Sequence, residues 1–164
     1  MSDNNITLLE SLHIQYSPMV RNMSMGFMKG DQELANDLTQ EVFINIWNAL
    51  SGFKGGASYK TWIYRITVNT CLQHIRKEKN KKQVPLEDIG QPHDNSEIPD
   101  YRNLYQAIGQ LNEIDRLIIM MVLEEVEYEE IARVMGIHEN TLRVKIHRIK
   151  YRLKKILEHE NRNE

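Results

Sequence analysis

The sequence predicts an all-α protein made of two small helical domains joined by a flexible linker. Three observations predict it. Apolar residues recur at three- and four-residue spacing along most of the chain, and no stretch shows the period-two alternation of a strand. Glycine and proline are sparse, 8 and 4 among 164 residues, which leaves long helical stretches between them. Three of the prolines, Pro85, Pro92 and Pro99, fall in one acidic segment that also carries Gly90, Asn95 and Ser96, a composition that breaks helices and links domains. The expected layout is therefore a helical domain over 1–82, an acidic linker over 83–100 and a second helical domain over 101–164. Each domain is near the lower size limit for burying a core of its own.

The elements follow in order. Ile6–Tyr16 reads as a first helix with Leu8, Leu9 and Leu12 inward. Ser17-Pro18 reads as an N-cap followed by proline at the first helical position, where a missing N–H costs nothing. That second helix runs to about Met28, and Gly30 ends it. Asp31 caps the next, which carries Leu34, Leu38, Val42, Ile46 and Leu50 every four residues, widened by Phe43 and Trp47. Gly52 stops it. Phe53–Ala57 is a glycine-bearing loop, and Ser58 caps a long helix reaching about Lys82. Beyond the linker, Tyr101, Leu104, Tyr105 and Ile108 make one amphipathic face that ends at Gly109. Asn112 caps a helix with Asp115 in its third position and Ile114, Leu117, Ile118, Met121 and Val122 inward. A short helix follows over Tyr128–Met135, then a turn at Gly136-Ile137-His138, then a final helix from Glu139 to about Glu158.

Composition narrows the function classes. The chain is 41% hydrophobic and 27% charged, as expected of a globular protein rather than a disordered one. No apolar run approaches bilayer-spanning length, and Met1–Glu10 lacks a positive region followed by an apolar stretch. A cytoplasmic location without direct membrane insertion is expected. Cys71 is the single cysteine, so an internal disulfide and a multi-cysteine zinc site are excluded; among Val68, Leu72 and Ile75 it reads as a buried, inert thiol. The net charge of −2 hides strong segregation. Residues 76–82 sum to +4, residues 83–103 to −4 and residues 104–142 to −6, while residues 143–155 hold 7 basic groups and no acidic one. Two basic blocks separated by acidic stretches suggest two footprints on a polyanion.

Tyr128–Arg148 is the most informative stretch. Two helices meet at a turn where Gly136 meets a left-handed conformation without a Cβ clash. Ala132, four residues earlier, is small enough for the second helix to cross close by. Ile131, Met135, Ile137, Leu142 and Ile146 are spaced to pack the pair together. The opposite face of the second helix offers Glu139, Asn140, Arg143, Lys145, His147, Arg148 and Lys150, with Thr141 and Val144 among them. This is a helix-turn-helix, whose second helix enters the major groove of DNA. In the first domain Arg65, Asn69, Gln73 and Arg76 recur at helical spacing, a polar stripe opposite Trp62, Ile66 and Leu72. Asn and Gln can pair with base edges and Arg can hold phosphates. The loop Phe53–Ser58, with Lys54 in it, sits at the N-terminus of that helix; its glycines permit close approach of a base and its N–H groups favour anions. Tyr59 and Trp62 are candidates for base stacking, although core packing is the ordinary role of such a tryptophan.

The stretch Tyr128–Arg148 resembles region four of bacterial RNA polymerase sigma factors, and Leu111-Asn-Glu-Ile-Asp-Arg-Leu-Ile-Ile-Met is similar to that family's lead-in helix. Asp37-Leu-Thr-Gln-Glu-Val-Phe with Trp47 resembles region two. Phe53-Lys-Gly and Thr61-Trp-Ile-Tyr-Arg-Ile-Thr-Val-Asn are similar to the promoter-melting and promoter-reading segment after it. Two motif sets in this order, with a short linker and no third domain between, resemble the extracytoplasmic-function class. The resemblance implies that region four reads the minus-thirty-five element through Glu139, Asn140, Thr141, Arg143, Val144, Lys145, His147 and Arg148. It implies that region two captures the unpaired minus-ten strand through Lys54, Ser58, Tyr59, Trp62, Arg65, Asn69, Gln73 and Arg76. It makes Asp37, Gln40, Glu41 and Asn45, on the face away from Leu38, Val42 and Ile46, the polymerase-binding face. The implied partners are RNA polymerase core, through its β′ clamp helices and β flap, promoter DNA and an anti-sigma factor. Two departures stand out: His138 replaces a frequent proline in the turn, and Glu125-Val126-Glu127 replaces a loop that often holds glycine.

The rival readings are weaker. A stand-alone helix-turn-helix repressor would not need the region-two motifs, and a helical adaptor for an acidic protein would not drive a promoter-specific transcript. A small hydrolase would need a nucleophile–base pair, a phosphate-binding glycine loop or a metal motif; the six histidines are scattered, so neither enzymatic activity nor a metal or other cofactor is expected.

Overall fold

The structure, a computed structural model, describes residues 3–81 and 101–163; the segment read as a linker, 83–100, lies outside the described residues. The described residues form seven α-helices and no strand: α1 Asp3–Phe27, α2 Gln32–Leu50, α3 Tyr59–Lys81, α4 Arg102–Gly109, α5 Glu113–Leu123, α6 Tyr128–Met135 and α7 Glu139–Arg162. None of them is long and apolar enough to cross a membrane. Two compact units divide the chain. Their described parts are residues 3–24 with 33–81, and residues 25–32 with 101–163.

The first unit is built from α1, α2 and α3. The expected break at Ser17-Pro18 does not occur: α1 is one helix of 25 residues with Pro18 inside it. Proline removes one ladder N–H and crowds the carbonyl four residues back. Here its ring is exposed, while Leu12 on one side and Met19, Val20 and Met23 on the other are all buried. Burying a large apolar side chain is worth about 1.5–3 kcal/mol, so several of them on one continuous face outweigh one lost hydrogen bond.

On α2 the buried set is Ala35, Leu38, Val42, Phe43, Ile46 and Leu50. Leu34, expected inward, is 49% exposed. A four-residue repeat outruns the 3.6-residue turn by about 40° per step, so the stripe cannot stay inward over its whole length, and Ala35 takes the place of Leu34. On α3 the buried face holds Ile63, Tyr64, Thr67, Val68, Thr70, Cys71 and Ile75. The Thr67 hydroxyl donates to the Ile63 carbonyl at 2.8 Å and the Thr70 hydroxyl to the Ile66 carbonyl at 2.7 Å, so neither buried hydroxyl lacks an acceptor. Ser58 caps α3 as expected: its Oγ accepts from the Thr61 N–H at 3.2 Å.

In the second unit α5 is the central element, with Arg116, Leu117, Ile118, Ile119, Met120 and Met121 buried on successive sides. Its start is the expected cap, the Asn112 side chain accepting from the Asp115 N–H at 2.9 Å. Tyr101 lies outside α4 and is 60% exposed, so the α4 face is narrower than the sequence pattern suggests; Ala107 and Ile108 are its buried residues. α7 packs across α4, α5 and α6 with Leu142, Ile146, Ile149 and Leu153 inward.

Three helices end in the same way. After α1, α5 and α6 the chain steps into the left-handed region at Lys29 (φ 59°), Glu125 (φ 59°) and Gly136 (φ 67°). In each case the next N–H reaches back to a carbonyl of the last turn: Gly30 to Met25 at 2.8 Å, Val126 to Met121 at 3.0 Å and Ile137 to Ala132 at 3.0 Å. This is the Schellman closure, for which glycine is the favoured left-handed residue. Glu125 stands where that glycine would, which gives the departure noted in the sequence a physical meaning.

A Cβ at Gly136 meets no atom within 4 Å, so its replacement is opposed by backbone conformation alone. Gly136→Ala is expected to destabilise the chain by about 1 kcal/mol, and Glu125→Gly to stabilise it by up to about 1 kcal/mol. Urea unfolding of the two variants against the parent checks both signs.

Candidate nucleic-acid interface

The outer face of α7 is set by the three residues before it. Gly136 turns the chain, Ile137 bonds back to Ala132, and His138 takes the N-cap position in an extended conformation. α7 then packs on α6, with Leu142 and Ile146 of α7 and Ile131 and Ala132 of α6 all buried. That packing fixes the outer side: Asn140, Thr141, Arg143, Val144, His147 and Arg148 are exposed, and Glu139 and Lys145 are half-buried. Two of these cations are already engaged. Arg143 Nη2 lies 2.6 Å from Glu139 Oε1, and its guanidinium sits 5.1 Å from the centroid of the Tyr128 ring. Lys145 Nζ lies 3.9 Å from Asp115 Oδ1 on α5, which draws it to the edge of the face. Exposed pairs of this kind are worth about 0–1 kcal/mol to the stability of the fold. On the other side of the turn, Arg133 bridges Glu129 and Glu130 at 2.9 Å each, which neutralises part of the acidic run on α6.

The second candidate surface is the outer side of α3. Asn69, Gln73 and Arg76 are exposed and Arg65 is half-buried, so the polar stripe is real. Its relation to the apolar residues differs from the sequence reading. Trp62 and Ile66 are half-buried and lie on the stripe's own side; the residues opposite it are Ile63, Thr67, Cys71 and Ile75. The physical reason is spacing. Trp62 precedes Asn69 by seven residues, which returns a helix to within about 20° of the same direction. Trp62 is not a core residue. It forms a ring cluster with Phe53 at 4.8 Å and Tyr59 at 6.3 Å between centroids, and Phe53 stacks on Tyr59 at 4.6 Å. The sequence reading places Phe53 in the loop and its motif but not among the candidate contact residues; its ring joins the cluster here. Lys54 and Ser58 are exposed on this loop; the Ser58 Oγ is occupied by Thr61. Gly55 holds φ 73° with open space around it.

The third surface belongs to α2. Asp37 and Gln40 are exposed, Glu41 is half-buried 3.9 Å from Lys77, and Asn45 is turned inward. The Asn45 amide donates to Thr70 Oγ1 at 3.0 Å, and the same hydroxyl donates on to Ile66. Asn45 therefore does not share the outward face of Asp37. It stands seven residues after Leu38, which places it nearly in line with that buried leucine. Between α1 and α2 an open groove of about 610 Å³ is lined by Ile6, Leu9, His13, Gln40, Phe43 and Trp47, among others. The His13 ring lies tilted against Phe43 within it, 4.5 Å between centroids.

Residues 12–81 match the family model Sigma-70 region 2, and residues 101–153 match Sigma-70, region 4. The chain is 30% identical to the ECF RNA polymerase sigma-E factor of Escherichia coli over 129 residues, covering 68% of each chain. It is 27% identical to the RNA polymerase sigma-H factor of Pseudomonas aeruginosa over 164 residues, 90% of this chain and 84% of that one. It is 29% identical to the ECF RNA polymerase sigma factor SigE of Mycolicibacterium smegmatis, of which it spans 54% of the length. Among solved structures, the fold is similar to a sigma factor bound to the anti-sigma factor NepR from Bartonella quintana, with a TM-score of 0.75 at 20% identity over 91% of this chain and 96% of that one. It is also similar to CnrH in complex with the cytosolic domain of CnrY, with a TM-score of 0.65 at 17% identity over 92% of this chain and 88% of that one.

The hydrogen bond between Asn45 and Thr70 ties α2 to α3, so Asn45→Ala is expected to lower stability by about 0.5–1.5 kcal/mol. Thr70→Val should do the same, and the double variant should lose less than the sum. Urea unfolding of the three variants measures this.

Proposed function

The chain belongs to the extracytoplasmic-function class of RNA polymerase sigma factors, with regions 2 and 4, and from that membership we propose that it is a non-catalytic specificity subunit. It binds RNA polymerase core and directs initiation at a set of promoters. The second unit reads the minus-thirty-five element as duplex DNA through the outer face of α7. The first unit captures the unpaired minus-ten strand on α3 and docks on the β′ clamp helices through α2. An anti-sigma factor, like the NepR bound in the similar structure from Bartonella quintana, controls access to these faces.

The observation that carries this reading is the outer side of α3. Exposed amides at Asn69 and Gln73 share it with a cluster of three half-exposed rings and with Arg76. Amides discriminate base edges, and rings stack on bases of any sequence. Duplex DNA hides both the faces of its bases and their pairing edges, so a ring cluster beside amides suits an opened strand better than a closed helix. A repressor that binds duplex has no use for such a surface. The α7 face suits the duplex: its exposed polar residues follow directly on the turn, at the end of the helix that reaches base edges in a major groove.

The two footprints lie on separate units, so the free chain must order both at once to use them together. Run-off transcription is expected to start at defined promoters when the chain is added to polymerase core, and the chain without core is expected to bind the same promoters weakly. Equal, sequence-specific affinity with and without core would overturn the proposal in favour of a repressor.

The two faces of the first unit are separable by mutation. Asn69→Ala should reduce promoter opening, read by permanganate reactivity at minus ten, by about five- to a hundredfold, as for the loss of a base-edge contact, while core binding persists. Gln40→Ala should weaken capture of core and leave selectivity at minus ten among the surviving complexes. The opposite pattern would mean that the two faces are exchanged.

A further inference from the structure

Arg143 is the first cation on the outer face of α7 after the turn, and the structure gives it two intramolecular partners. Glu139, one turn earlier on the same helix, holds Nη2 at 2.6 Å. Tyr128, the first residue of α6, lies under the guanidinium with its ring centroid 5.1 Å from Cζ. The two contacts have different geometry. The carboxylate accepts from Nη2, and Cζ lies over the Tyr128 ring at a distance where cation and ring quadrupole attract. Together they restrict both the direction and the roll of a side chain that otherwise has many rotamers.

Tyr128 reaches this position because of the helix pair. It stands one turn before Ile131 and Ala132, which are buried against α7, and Arg143 follows the buried Leu142. The same packing that closes the two helices therefore carries the ring to the guanidinium. Charge matters as well. A lone arginine at the rim of a groove is drawn to the nearest phosphate, a contact without sequence information. A carboxylate beside it reduces that pull and leaves the remaining N–H groups for the two acceptors that a guanine presents in the major groove.

We propose that Tyr128 is a positioning residue for base recognition: its ring, with the Glu139 carboxylate, holds the Arg143 guanidinium in the one orientation from which it reads a base edge rather than a phosphate. The inference rests on the reading of α7 as the duplex-recognition helix. It adds a residue of the preceding helix to the determinants of promoter choice and gives Glu139 a role through Arg143.

The test uses the full chain with polymerase core on a barcoded library of promoters randomised across the upstream element, with transcripts counted by sequencing. Arg143→Ala should erase the preference at one base-pair position. Tyr128→Leu, which keeps apolar volume for helix packing, should weaken the preference at that same position by about two- to fivefold and leave the other positions unchanged. Tyr128→Phe, which keeps the ring, should restore it. Glu139→Ala, at the exposed start of α7, should weaken the same position and serves where Tyr128→Leu fails to fold by circular dichroism. In the Arg143→Ala background, Tyr128→Leu should add nothing. A uniform fall across all promoters in Tyr128→Leu, or a preference lost at a different position, would overturn the proposal and leave Tyr128 a packing residue. If Arg143→Ala shifts one position while the Tyr128 and Glu139 variants keep the parent profile, this inference fails and the proposed function stands. If the parent chain drives no sequence-dependent transcript with core, both fall.

Discussion

The left-handed residue that ends α6 is the constraint on which the outer face of α7 depends. Gly136 at φ 67° lets the Ile137 N–H close back on Ala132, and the chain leaves the helix at one fixed angle. From that angle follow the burial of Leu142 and Ile146 against Ile131 and Ala132, and hence which side of α7 faces out. A residue with a Cβ would find room there, so the demand is for a backbone conformation rather than for space. The exposed cations and amides of α7 are thus placed by an interaction that none of them makes.

Much of this was legible in the sequence. Gly136, the spacing of Ile131, Leu142 and Ile146, and the caps at Ser58 and Asn112 are local signals, and local signals survive folding when each has a nearby partner. Cys71 was read as buried from its helical neighbours, and it is fully buried. The failures are those where a tertiary sum overrides a local rule. Pro18 ought to start a helix and instead sits within one, because residues on both sides of it are buried on one continuous face. Leu34 and Asn45 failed for a geometric reason. A four-residue repeat and a seven-residue repeat drift differently around a 3.6-residue helix, and apolar content alone does not say where a stripe leaves the core. The placing of Trp62 opposite the polar stripe failed, because its packing is satisfied by two other rings on the stripe's own side.

Side-chain pairing was the least legible feature. The sequence shows Glu139 and Arg143 four residues apart, a spacing compatible with an ion pair, but nothing in it shows that Tyr128 closes the third side. That contact depends on the crossing of two helices and cannot be read from either one. Lys145 is the counterpart: its spacing puts it near the outer face, and its partner Asp115 on α5 draws it to the rim. Two cations two residues apart are thereby given different surroundings by helices distant in sequence.

The placement of the two tryptophans has a practical consequence. Trp47 lines the groove between α1 and α2, and Trp62 belongs to the ring cluster on the outer side of α3; the chain has no others. Indole emission responds to the polarity and quenching of its immediate surroundings. The molecule therefore carries two built-in optical labels, one at each of two surfaces that a partner would cover. Replacing either with phenylalanine leaves a single emitter, whose wavelength and accessibility to iodide follow the occupation of one surface independently of the other.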